Sequence, residues 1–389
     1  MATRTEHDSM GPIEVEDDRL WGAQTQRSLQ NFKIGRSLGH TMPRAMIKAM
    51  GSVKWSAAHA NHALGLLPEA KKGAIQRAAK EVIAGDLDEH FPLVVWQTGS
   101  GTQSNMNCNE VIANRAIQHL GGTVGSKEPI HPNDDVNKSQ STNDSFPTAI
   151  HVAVVDQFTG ELLPALEKMK AALAAKADQF SDVVKNGRTH LMDATPLTLG
   201  QEFSGHAAQL DYARRGIEAA IELLLEVAIG GTAVGTGLNT VEGYDQLVCD
   251  ALRDLTGHDF KPAPNKFAQL GGKEAVSQAS GAIRTLATSL NKIANDVRWL
   301  ASGPRSGISE IVIPANEPGS SIMPGKVNPT QAEAMTMACA YVFGLDAGVG
   351  WSATTSTRST SRQSSTLPPR GRVARPFSTR VASTRLPIA

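Results

Sequence analysis

Cysteine is scarce in this sequence of 389 residues: Cys108, Cys249 and Cys339 stand far apart and form no C-x-x-C pair. That spacing indicates neither a disulfide framework nor an iron–sulfur or zinc cluster, and it suits a reducing compartment. Long apolar runs are also missing, since none approaches the roughly 18–20 residues of a membrane span. The N-terminal stretch MATRTEHDSMGPIEVEDD has early acidic residues and no apolar h-region, so it reads neither as a secretory signal nor as a typical transit peptide. A cytoplasmic location is therefore expected. Net charge is absent too: 38 Lys plus Arg balance 38 Asp plus Glu, which removes any bulk-charge reason to expect a nucleic-acid or membrane partner.

The balance conceals a division. Residues 351–389 contain seven Arg and no Lys, Asp or Glu, so the segment before them is mildly acidic and the tail strongly basic. The tail holds 15 Ser and Thr and few large apolar residues, a composition expected to be disordered. Its arginines lack interleaved aromatics, which argues against nucleic-acid binding.

The chain as a whole has the composition of a soluble globular protein, with 40% hydrophobic residues and a length that suggests two or three domains. Ala-rich helical stretches broken by Gly65 and Pro68 precede a polar loop, TGSGTQSNMN, at 98–107. Turn-rich segments follow at 131–137 and 140–144, and a boundary near residue 140 is expected. Beyond it, apolar residues at three- and four-residue spacing predict long helices over about 147–178, 199–228, 273–301 and 329–348. Helices of that length pack as antiparallel bundles, and polar motifs collect in the linkers, here 186–198, 230–240 and 303–328. The expected organisation is a mainly α protein: an N-terminal helical domain, 1–140, a long-helix bundle, 141–350, and the tail.

The segment EPGSSIMPGKVNPTQAE, from Glu317 to Glu333, is the most informative. It fails as a phosphate-binding P-loop, because five residues separate Gly319 from Gly325 and Val327 stands where Ser or Thr is needed. GGTAVGTGLNT, 230–240, lacks the strand and spacing of a dinucleotide site and reads as a tight helix-to-helix passage. No helix carries H-E-x-x-H or clustered carboxylates, so neither a metal nor another cofactor is expected. Alone, His190 is more often structural than catalytic, and Thr102, Ser141, Thr142 and Asn143 are most simply helix caps. Together, the polar loops supply hydroxyls, amides, one lysine and one histidine, the inventory for a small dicarboxylate with a base beside it.

GSSIMPGKVNP at 319–329 resembles the signature of the fumarase/aspartase superfamily, whose members add or eliminate water, ammonia or amines across the double bond of fumarate. RTEHDSMGPIEV, LWGAQTQRSL, TGSGTQSNMNCNEVIANRA, HPNDDVNKSQSTNDSFPTAIH and GRTHLMDATPLTLGQEFSG are similar to class II fumarases in particular. The likeness covers about residues 4–350. It implies that Ser100, Gly101, Thr102, Ser141, Thr142, Asn143, Thr189, Ser321, Lys326, Val327 and Asn328 bind substrate. It further implies that His190 is the general acid/base, acting through a water and supported by Glu333, that Ser320 is the other candidate for carbon deprotonation, and that Lys326 stabilises the developing charge. His131, Pro132, Asn133 and Asp134 match a second dicarboxylate site, with Asp135 standing where many relatives have His. The family's members are homotetramers whose active sites draw loops from three subunits. Aspartate ammonia-lyase is the alternative activity within the superfamily, and a non-catalytic, assembly-defective member of the fold is the alternative outside it. The likeness stops near Gly350, where family members continue, and the abrupt change of composition there is expected to mark a reading-frame shift.

Overall fold

The computed structural model describes residues 2–323 and 325–354. In chain order the elements are strands β1 (Thr3–Asp8) and β2 (Gly11–Glu16), then helices α1 (Ala23–Asn31), α2 (Arg44–Ala63), α3 (Glu69–Ala84), α4 (Thr102–His119), α5 (Thr142–Gln157) and α6 (Leu163–Gln179). Strands β3 (Val184–Thr189) and β4 (Met192–Thr198) lead into α7 (Leu199–Leu224). After them come β5 (Glu226–Val227), α8 (Tyr244–Thr256), β6 (Lys261–Pro262), α9 (Lys266–Gly271), α10 (Glu274–Leu300) and α11 (Thr330–Thr354). The mainly α class expected from periodicity is the class observed. The expectation of a disordered tail falls on residues 355–389, outside the described residues, whereas 351–354 continue α11.

Two compact units are formed, and both are discontinuous: residues up to 156 with 222–277 and 348–354, and residues 157–221 with 278–347. A single cut near residue 140 is therefore not how the contacts divide. The physical reason lies in α5, whose first turn is bound to the segment 230–232 through Asp144.

In the first unit α2 is buried on almost every side and packs on α3 and α8. Its small residues, Ala49, Gly51, Ser52, Ala57, Ala58 and Ala60, permit that close approach. The antiparallel pair β1–β2 joins Thr3 to Glu16 and Asp8 to Gly11. Glu110 of α4 is buried and accepts hydrogen bonds from the backbone N–H groups of Gly22, Gln24 and Thr25, fixing the start of α1.

His151 of α5 is 5% exposed, and its Nδ1 lies 2.9 Å from the carbonyl oxygens of both Leu224 and Glu226. Burial pulls the imidazole down to about 4, against the two carbonyls, which favour the charged ring. Its folded value lies below the unfolded one, about 6.5. The stability it contributes is thus complete above about pH 6.5 and is lost as the pH falls through 4, a cost of a few kcal/mol. Urea midpoints measured from pH 7 to 4 should fall more for the parent than for His151→Gln, and parallel curves would exclude this account.

In the second unit the long helices carry one apolar face each. Phe203, Ala207, Leu210, Ala213, Ile217 and Ala220 are buried along α7, as are Leu286, Leu290, Ile293, Val297 and Leu300 along α10. On α11, Cys339 and Val342 are buried while Met337, Tyr341 and Phe343 are exposed. No helix among the described residues is long and apolar enough to cross a membrane.

Candidate active site

In the first unit the candidate residues cluster at two helix N-termini. Gly101 precedes α4 with φ +75°, and a Cβ there would overlap the Phe146 ring, so both conformation and space call for glycine. Ser100 Oγ lies 2.9 Å from Thr102 Oγ1 and 3.3 Å from Thr98 Oγ1. One turn along α4, the Asn105 amide donates to Thr142 Oγ1, the first residue of α5, at 2.9 Å. Ser100, Gly101, Thr102 and Thr142 are thus gathered at the paired starts of α4 and α5, where unpaired N–H groups and the helix dipoles favour an anion.

Ser141 caps α5 reciprocally with Asp144. Its Oγ accepts the Asn143 N–H at 3.2 Å, and Asp144 Oδ1 accepts the Ser141 N–H at 3.0 Å. The other Asp144 oxygen accepts the N–H groups of Gly230 and Thr232, and the Asn143 amide donates to the Ala233 carbonyl at 2.7 Å. The Gly-rich passage expected at 230–240 therefore serves as a seat for the 141–143 turn. Burial pushes the Asp144 carboxyl up to about 6 against the pull of the Thr232 and Ser141 N–H groups.

His131 and Asn133 share a cavity with Glu6, Asp8 and Lys127 in this unit. His131 Nδ1 lies 3.3 and 3.2 Å from the N–H groups of Asn133 and Asp134 and 3.2 Å from the Asp134 carboxylate. Pro132 starts the turn, and Asp135 accepts the His131 N–H while pairing with Lys71 at 2.8 Å. The aspartate at 135 is thus tied to the body of the unit.

The second unit holds the remaining candidates. Thr189 and Met192 pair across β3–β4, leaving His190 and Leu191 as a two-residue turn with φ +53° and +63°. Both positive values suit a type I′ hairpin; histidine is one of the residues that tolerate that region, whereas leucine is not. A strain of about 1–3 kcal/mol for such a backbone is typical of functional positions. Thr189 and His190 are exposed. The hairpin is anchored below its tip, where Arg188 and Lys185 each meet Glu310 at 2.6 Å and Lys185 also pairs with Glu202. Against its burial, the Glu310 carboxyl is held below its usual range by those two cations.

In the 317–328 segment the Asn328 amide donates to the Gly319 carbonyl at 2.6 Å, and the Lys326 carbonyl occupies the space a Cβ on Gly319 would need. This pins the segment at its base. Ser320 and Asn328 are half-buried, whereas Ser321, Lys326 and Val327 are exposed. Glu333 lies half-buried in the first turn of α11. Among the described residues no hydrogen bond joins His190 to Glu333 or Ser320.

Glu202, His206 and Asp296 bring their ligand atoms within 4.8 Å of one another, a set able to hold a cation. Lys185 and Lys292 pair with the two carboxylates there. Sequence reasoning missed this cluster because α7 and α10 are far apart in sequence. It also missed Lys54, Asn105 and Asn137 beneath the 141–143 turn. Of the residues there, only Asp144 left a readable mark, the S-x-x-D spacing of a capping box.

One unit thus carries helix N-termini lined by hydroxyls, and the other a histidine at a hairpin tip and a glycine-rich serine segment. Residues 11–344 match the family described as Lyase. The chain is 61% identical over 349 residues to the class II fumarate hydratase of Ralstonia nicotianae, spanning 90% of this chain and 75% of that one. It is 59% identical over 348 residues to that of Brucella suis, spanning 90% and 74%. The crystal structure of class II fumarase from Schistosoma mansoni superposes with a TM-score of 0.92 at 40% identity, covering 99% of this chain and 82% of that one. The chain belongs to the class II fumarate hydratases.

Proposed function

We propose that this chain hydrates fumarate reversibly to malate, with the substrate carboxylates held by Ser100, Thr102, Ser141, Thr142, Asn143, Thr189, Lys326 and Asn328. The observation that carries this reading is the meeting of the α4 and α5 N-termini at Thr142, which offers several donors to one carboxylate. Removing a proton from the malate carbon next to a carboxylate places a second negative charge on that carboxylate. Donors already aimed at it lower the barrier, because they strengthen as that charge develops. Lys326 and the Asn328 amide serve this role. His190, held at the hairpin tip, moves a proton through a water supported by Glu333, and Ser320 takes the complementary proton at carbon. Ser321 and Val327 line the substrate, while His131, Pro132, Asn133 and Asp134 form a second dicarboxylate site.

The ultraviolet absorbance of fumarate tests the activity directly. Loss in water alone, with malate as product, is the expected result. Loss only with added ammonium would move the reading to an ammonia-lyase, and no loss from a soluble chain would overturn it. The three free, buried cysteines suit a cytoplasmic place.

A homotetramer is the proposed assembly. Met337, Tyr341 and Trp351 of α11 are 66%, 52% and 75% exposed, and Trp299 at the end of α10 is 53% exposed, more large apolar surface than a helical face in water usually carries. Sedimentation should give about four times the 41.3 kDa chain mass, lowered by Tyr341→Asp, and a monomer would exclude it.

A further inference from the structure

Lys54 is 0% exposed in the middle of α2, between Val53 and Trp55 and among the buried residues Ser52, Ser56 and Ala57. Its ammonium donates to Asn137 Oδ1 at 2.8 Å and to Gln140 Oε1 at 2.9 Å. Asn137 Oδ1 accepts a second hydrogen bond, from Asn105 Nδ2 at 3.2 Å. The same Asn105 nitrogen donates to Thr142 Oγ1 at 2.9 Å. One further bond holds the Asn137 amide in this orientation, its Nδ2 donating to the Gln140 carbonyl at 3.2 Å, while the single Ser145 hydroxyl proton goes to the Ser141 carbonyl at 2.8 Å rather than to Asn105 Oδ1 at 3.4 Å.

An ammonium can only donate, so this relay has a direction. Lys54 obliges the Asn137 amide to turn its oxygen inward. That oxygen obliges Asn105 to present its NH₂, and the NH₂ makes Thr142 Oγ1 an acceptor on its inner side. The hydroxyl proton of Thr142 is then left to point outward. Resting on the reading of Thr142 as a substrate-carboxylate ligand, we infer that Lys54 is a positioning residue that sets the Thr142 hydroxyl as a donor toward the substrate. Without the cation, Asn137 Oδ1 loses its charged donor and the amide is held by the bond from its Nδ2 to the Gln140 carbonyl, so the relay's direction is weakened and Thr142 presents a lone pair to a carboxylate more readily. Burial pulls the Lys54 ammonium down to about 8, while nearby Asp144 favours the charged form, so the cation persists at neutral pH.

The test is a double-mutant cycle on the full chain, read as the dissociation constant of succinate, an unreactive dicarboxylate, by calorimetry, with KM and kcat for malate alongside. Thr142→Val should weaken succinate about tenfold by removing the outward donor. Lys54→Met, which matches the lysine in length and leaves α2 filled, should weaken it by a similar factor and raise KM more than it lowers kcat. The combination should be no worse than Thr142→Val alone, because Lys54 acts through that hydroxyl. Multiplying effects in the double variant would mean a general structural role and would overturn the inference. So would an unchanged constant in Lys54→Met. If Lys54→Met does not fold, Asn105→Asp replaces it in the cycle. That change removes the NH₂ donor and obliges Thr142 to donate inward, and the same non-additivity is expected. Should Thr142→Val alone leave succinate binding unchanged, the ligand reading itself fails, whereas an effect of Thr142→Val without one of Lys54→Met refutes only the relay.

Discussion

His190→Asn should lower turnover of fumarate and of malate by about 10²- to 10⁴-fold, the usual contribution of a positioned acid/base group, while KM changes little. Asparagine is the informative replacement because of the backbone. His190 has φ +53°, and among residues with a side chain asparagine is one of the best suited to that region. The β3–β4 hairpin therefore keeps its register, and its anchors Arg188–Glu310 and Lys185–Glu310 lie below the tip and are untouched. What is lost is the imidazole alone. Melting should stay within the scatter of an exposed substitution, about 0.5 kcal/mol. A variant that retains most of its kcat would remove His190 from the proton path and leave Ser320 to carry it. A variant that loses activity together with its hairpin, seen as a lowered melting temperature, would instead assign the residue to the fold. Glu333→Gln tests the role of that carboxylate: a smaller fall in kcat is expected if it supports a water beside His190, and none if it does not.

Periodicity carried most of the architecture. The apolar faces of α7 and α10 are plain in the sequence, and the expected helices 199–228 and 273–301 are observed as Leu199–Leu224 and Glu274–Leu300. The helix expected from about 147 begins five residues earlier, at Thr142. Pro147 suggests a first turn, yet it stands inside the helix, because Ser141 and Asp144 supply the cap. The linker 186–198 is a hairpin rather than a loop, and its tip of His190 and Leu191 lacks the Asn-Gly signature that announces a type I′ turn. The hydroxyls proposed to bind substrate were legible because short motifs hold them. Their support was not. A lysine in an Ala-rich helix ordinarily marks the solvated face, so nothing local shows Lys54 to be fully buried; that follows only from α2 being packed against α3, α4 and α8 together.

Asp144→Ala should be the most destabilising single change in the site, by about 3–5 kcal/mol, and should also weaken succinate strongly in whatever fraction remains folded. The carboxylate is 0% exposed and receives three backbone N–H groups, from Ser141 at 3.0 Å, Gly230 at 3.1 Å and Thr232 at 2.8 Å. Removing it leaves those donors without an acceptor, in a place where water has little access to replace it. Asp144→Asn helps only in part. Its single oxygen can serve Gly230 and Thr232 on one side, but its NH₂ then faces the Ser141 N–H, donor against donor. Asparagine should therefore cost less than alanine and still more than a typical isosteric exchange, with the loss concentrated at the first turn of α5. This ordering, aspartate above asparagine above alanine in both denaturant midpoint and succinate affinity, follows from the count of acceptors alone. Equal stability of Asp144→Asn and the parent would show that the 230–232 segment does not depend on this carboxylate. The 141–143 turn would then owe its shape to Asn105 and Asn137, and the Gly-rich passage would be no more than a connection between helices.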